Sequence, residues 1–158
     1  MTGEINPRER RLVLRLLDHW RAMAGELDWP RPDSVEPAAM TDMWTFCFMI
    51  DDARAAPRLS YVGDYHKEMY GSDPTGLAFA DVNSDTLIGR SASYLKDVLA
   101  KNVPVTYGGQ FVDIHGNGLL YRSILLPLST DGKTVNAVLG GANCRILDLG
   151  EVVENPLP

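Results

Sequence analysis

The sequence predicts an α+β fold: one antiparallel sheet of about five strands, with helices packed on one face and a flanking helix at the N-terminus. Three observations predict it. The leading stretch carries apolar residues at helical spacing, two short β-rich runs follow, and the last third holds three apolar runs joined by turn-forming residues. Consecutive strands joined by hairpins pair antiparallel, because a parallel pair needs a crossover of a dozen residues or more.

The leading helix starts at Asn6, a capping residue, with Pro7 at the first helical position and Glu9 placed to close a capping box. Leu12, Val13, Leu16, Leu17, Trp20 and Met23 then recur with helical period, and Gly25 stops the run. Leu14 lies outside the centre of this stripe and widens it. Two readings follow: simple core packing, or an interaction helix whose Leu12, Leu14, Leu16, Trp20 and Met23 also meet a second copy or a signalling partner.

Residues 29–37 contain three prolines, which breaks a regular helix and makes an ordered linker leading to a helical turn at 38–43. Residues 44–50 are rich in aromatic and apolar side chains and read as a strand; 59–62 make a second, closed by Gly63. Gly71, Pro74 and Gly76 cut 64–81 into short helical pieces. Ser84 or Asp85 caps one longer helix through Lys101, with Leu87, Ile88, Tyr94, Leu95, Val98 and Leu99 on one face. Strands at 103–112, 119–128 and 134–144 follow, separated by turns at 115–118 and 129–133.

The 158 residues fit one domain with a single core. The expected division is a helix and linker at 1–30, the main domain at 31–148, and a tail at 149–158. A net charge of -6 disfavours binding to a phosphate backbone, so nucleic acid is not an expected partner. The charged opening carries no secretory signal, and no apolar run reaches the roughly 18 residues needed to span a bilayer. The expectation is a cytoplasmic protein away from membranes, with Cys47 and Cys144 reduced.

Several short motifs, in order, resemble the PAS domain family, in particular its bacterial stand-alone branch. They are Trp20-Arg21; Arg31-Pro32-Asp33; a strand ending Ile50-Asp51; Tyr61-Val62-Gly63; a short helix closing at Tyr70-Gly71; Asp73, Thr75 and Gly76; Leu126-Pro127-Leu128-Ser129 with Asp131-Gly132; and Leu139-Gly140-Gly141. The match runs from Leu12 to Cys144. The resemblance implies a sensory or protein-interaction domain in bacterial signal transduction.

Such a fold holds its ligand between the concave sheet face and the helices. The wall candidates are Phe46, Phe48, Tyr61, Met69, Tyr70, Leu95 and Tyr121, with Tyr107 and Arg122 as polar handles; the alternative is a filled core. Residues 141–147 resemble the flavin-adduct motif of light-sensing relatives, but only 11 residues follow Leu147, too few for the helix and three strands that come after that motif there. Haem-binding relatives take an axial histidine from the long helix, and 85–101 has no His, Cys or Met. No cofactor and no metal site is therefore expected.

Asp64, His66 and Glu68 could be assembled as an acid/base group, but on a helix the two acids share a face and His66 points elsewhere, so the expectation is solvated surface charge. Ser91 and Ser93 lack nucleophile-elbow glycines, and neither glycine-rich phosphate-binding pattern occurs. The sequence therefore reads as a binding and signalling domain with no catalysis of its own. The competing reading is a small-molecule carrier or enzyme using the same cavity.

Overall fold

A computed structural model describes residues 7–148, with side chains from Arg11 onward. Helix α1 runs Pro7–Ala24, and strands β1 (Cys47–Asp51) and β2 (Arg58–Val62) form the first hairpin. Helices α2 (Asp64–Tyr70), α3 (Leu87–Ser91) and α4 (Leu95–Lys101) come next, then β3 (Val105–Val112), β4 (Gly118–Leu128) and β5 (Ala137–Ile146). The five strands form one sheet in the order β2-β1-β5-β4-β3, with every neighbouring pair antiparallel. The expected fold class is borne out.

Both faces of this sheet are covered. Phe48, Ile50, Leu125 and Val138 point to one side and pack with Ile88, Leu95 and Val98 of α3 and α4. Their strand neighbours Cys47, Ile124, Leu126, Ala137 and Leu139 point to the other side, where Leu12, Val13, Leu16 and Trp20 of α1 cover them. Only the middle helices share the inner face; α1 lies on the outer one. Linker residues Trp29 and Val35 pack against the outer cluster too, and Pro30 accepts a hydrogen bond from the Ser129 amide at 3.0 Å. Among the described residues no helix is long and apolar enough to cross a membrane.

Several boundaries differ from the sequence reading. Residues Trp44–Phe46 form a 3-10 turn, so β1 starts only at Cys47. The longer helix is broken between Ser91 and Leu95, and its cap is Thr86, whose Oγ1 accepts from the Gly89 amide at 3.1 Å. At the break Ser93 bonds back to the Arg90 carbonyl at 2.7 Å, the local competition that makes serine a poor helix-interior residue. The break also lets Tyr94 reach Ser123, Oη to Oγ 2.6 Å. Strand β5 begins at Ala137 because 129–136 is a loop organised by Asp131, which accepts from the Lys133 and Thr134 amides at 2.8 and 3.0 Å. Those donors hold its carboxyl down at about 2. The proposed Asn6 cap lies outside the described residues; Pro7 opens α1, and Gly25 follows its end at φ +56°.

A bulge in the first hairpin sets the side-chain order of β2. The register shifts between Met49 and Ile50, which leaves Ser60 without a direct partner. Leu59 and Val62 thus both reach the inner core although three positions apart, while Tyr61 joins the outer cluster. Gly63 then turns the chain into α2 against the backbone of residues 44–45, where a Cβ would sit 2.2 Å from the Thr45 carbonyl oxygen.

His66 on α2 is fully buried, its Nε2 donating to the Phe46 carbonyl at 2.8 Å and its ring edge-on to Phe48 and Tyr65. Burial pushes its proton affinity down to about 4 against the hydrogen bond, which acts the other way.

Two outcomes test this arrangement. Gly63→Ala destabilises the domain by about 3 kcal/mol through its backbone collision, whereas Gly76→Ala, at φ +91° with open space around it, costs about 1 kcal/mol of conformational strain. Urea unfolding of both variants checks the order, and equal costs would contradict it. The second concerns pH: the unfolded ring protonates near 6.5 and the folded one only near 4, so the contribution of the neutral ring is full above 6.5 and lost as pH falls toward 4. Between pH 7.5 and 4.5 the wild type should lose about 2 kcal/mol more stability than His66→Gln; parallel pH profiles would refute the buried neutral ring.

Candidate functional site

The nine side chains expected around an inner pocket divide among several environments. Phe48 and Leu95 lie in the inner core, with Tyr70 packed against it. The Phe48 ring occupies the space over Gly140, where a Cβ would meet it at 2.2 Å. Tyr121 belongs to a neighbouring cluster with Leu87, Phe111, Leu119 and Ala142, and Met69 packs at its margin. Tyr107 is 41% exposed at the edge strand, its ring 4.8 Å from that of Tyr94.

Phe46 and Tyr61 are on the outer side instead, where Tyr61 stacks on Trp44 with ring centroids 4.0 Å apart. Arg122 also belongs there, because it alternates with Tyr121 and Ser123 along β4. The region between sheet and middle helices is thus a packed core of aliphatic and aromatic groups. Within it Tyr94 Oη and Ser123 Oγ pair, Ser123 also reaching the Ser91 carbonyl at 3.4 Å, and burial raises the Tyr94 phenol above its ordinary value.

The five residues offered as an interaction stripe are also divided. Leu12, Leu16 and Trp20 are buried against the domain's own sheet, and Met23 packs at the edge of that cluster. Leu14 alone is open, 53% exposed. The Trp20 indole donates to the Pro127 carbonyl at 2.8 Å, which ties the middle of α1 to β4. Leu16 enters a notch at Gly141, its Cδ1 2.2 Å from where a Cβ would stand. Most of the wide apolar stripe is therefore used within the domain, not on a partner.

The outer face contains a feature that the sequence reading missed. A cavity of about 290 Å³ lies between the first turns of α1 and the sheet, lined by Arg11, Leu12, Arg15, Asp42, Phe46 and Asn143. Arg15 and Asp42 form a two-pronged pair, with Nη2–Oδ1 and Nη1–Oδ2 both at 2.8 Å, and the guanidinium lowers the Asp42 carboxyl. Asn143 is only 5% exposed and its Oδ1 has no hydrogen-bond partner. Arg122, directly opposite Asn143 on β4, has a buried Nε that is likewise unpartnered. Alternation along the last two strands would have placed Arg122 and Asn143 on one face; nothing in the sequence brings α1 to that face.

The histidines and cysteines sit in separate places. His66 is interior, Asp64 is open to solvent near Lys67, and His115 lies in the β3–β4 turn against Gly71. Cys144 is on β5, the last strand, with its sulfur 3.2 Å from the Tyr65 hydroxyl. Cys47 is buried, which pushes its thiol up to about 12 and keeps it in the unreactive protonated form. Among the described residues no group of three or more His, Cys, Asp or Glu side chains could hold a metal ion.

Solved structures of similar shape include the PAS domain of the fruit-fly ELK potassium channel, at 12% identity and a TM-score of 0.47, matched over 67% of this chain and 91% of that one. A sensory box sensor histidine kinase from Vibrio cholerae is 12% identical with a TM-score of 0.48, over 70% of this chain and 90% of that one. The Rhodobacter sphaeroides LOV protein is 8% identical with a TM-score of 0.46, over 70% and 68% respectively. Among curated proteins nothing matches. The family whose description is PAS domain matches residues 8–142, from α1 through most of β5. The chain is a member of the PAS domain family.

Proposed function

We propose that this chain is a sensory or regulatory domain in signal transduction that acts by binding rather than catalysis, with α1 as the element that carries the signal. The observation that supports this reading is where α1 sits. It covers the outer sheet face through Leu12, Val13, Leu16 and Trp20, while the inner core is completed by α3, α4 and β2 without it. A helix held on a finished sheet can leave it without dismantling the inner core. Two populations of α1, docked and released, are all that a population-shift mechanism requires.

Released, α1 presents Leu12, Leu16 and Trp20 together with the already open Leu14 as one apolar stripe for a second copy or a signalling partner. Docked, it offers such a partner Leu14 alone. The partner contact expected from the sequence is in this way conditional on undocking. On this reading occupancy of the domain, and not turnover, is the event to be transmitted.

Native-state hydrogen exchange tests the proposal. Amides of α1 should exchange through an opening about 2 kcal/mol less costly than the one that releases β4 and β5. Gly141→Ala, which pushes Leu16 out of its notch, should lower that opening further and raise the mass in solution toward a dimer or a partner complex. Exchange of α1 and β4–β5 at one shared free energy would overturn the reading.

A further inference from the structure

We infer that the cavity between α1 and the outer sheet face is a binding site for a small organic carboxylate with an apolar body and a hydrogen-bond donor. The cavity, about 290 Å³, is at the lower end of the sizes that take small ligands. Its walls combine three chemistries. Leu12 and Phe46 supply an apolar surface. Arg11 is exposed at the rim, one turn before Arg15, and brings a positive charge that Asp42 does not neutralise, since Asp42 is already paired with Arg15. Asn143 supplies a buried carbonyl oxygen with no donor facing it.

The Asn143 oxygen is the decisive observation. Leaving a buried acceptor unmade costs on the order of 1–3 kcal/mol, so a native protein keeps such a group where something satisfies it. The buried Arg122 Nε directly across the strand pair is a donor in the same condition. A ligand that carries both an acidic group and an O–H or N–H matches the lining in kind, the acid for Arg11 and the donor for Asn143. The acid accepts from Arg11, in the planar fork geometry that favours carboxylates, and the hydroxyl or amino group donates to Asn143. A bare inorganic anion would leave Leu12 and Phe46 uncovered, and a neutral aromatic would leave the arginine charge without a counterpart.

The position gives the site its consequence. Arg11, Leu12 and Arg15 come from α1, whereas Phe46 and Asn143 come from the body beneath it. A ligand bridging the two stabilises the docked helix by its differential affinity for that state. This consequence rests on α1 being the transmitting element; the binding itself does not.

The test is a two-dimensional NMR titration of the full chain with 4-hydroxybenzoate, compared with inorganic phosphate and benzyl alcohol. Saturable shifts at Asn143, Phe46 and Leu12 with 4-hydroxybenzoate, weakened about tenfold in Arg11→Gln and in Asn143→Leu, are expected. Arg11 is exposed, so Arg11→Gln remains folded and interpretable even if Asn143→Leu does not. Absence of shifts at these residues, equal affinity in Arg11→Gln, or equal binding of phosphate or benzyl alcohol would each overturn the site. Hydrogen exchange of α1 with and without 4-hydroxybenzoate separates the two proposals: saturable binding with unchanged α1 exchange leaves the site standing and removes its role in transmission.

Discussion

The constraint on which the rest of the structure depends is that its central strands have no wet face. Along β4 every residue except Arg122 is buried, and β5 is buried from Ala137 through Asn143. A strand buried on both sides must be covered by two independent layers, and here those layers come from different parts of the chain. The middle helices cover one side and the leading helix the other. Removing either would expose a row of Leu, Ile and Val side chains to water, at roughly 25 cal/mol for each Å² uncovered. The layers are not equivalent. The inner one is woven from β1, β2, α3 and α4 and is inseparable from folding, whereas the outer one is mostly a single helix and its linker.

That asymmetry explains which parts were legible in the sequence. The hairpins were plain because turn residues punctuate the C-terminal third, and the amphipathic period from Leu12 to Met23 identified α1 directly. The width of its stripe raised a second, partner-facing reading, whereas Leu12, Leu16 and Trp20 are buried against the domain's own sheet. What periodicity does not contain is which sheet face supplies the partner. The unbroken apolar character of 124–128 was the available signal, since a strand with one solvated face alternates and this one does not.

The nine side chains expected around one pocket are divided between the two faces for a related reason. The expectation grouped aromatic residues by fold resemblance, without the alternation and the bulge that distribute them. Met49 to Ile50 is where the register changes, and a one-residue change of register moves side chains to the opposite face. Tyr61 is therefore with Trp44 on the outside and not beside Phe48. Phe46 left the inner set because Trp44–Phe46 coils before the strand begins. The divided helix at Ala92–Tyr94 was hidden as well, since the Tyr94–Ser123 hydrogen bond that goes with it joins residues 29 positions apart.

The Leu16 side chain in the Gly141 notch has a mechanical implication. Sliding α1 along the sheet by a fraction of a turn would drive a methyl group into β-strand backbone, so the notch acts like a keyway that admits a single axial setting. Graded sliding of the seated helix is blocked by this fit. Under the role proposed for α1, this fit gives the helix discrete settings in place of a continuous range.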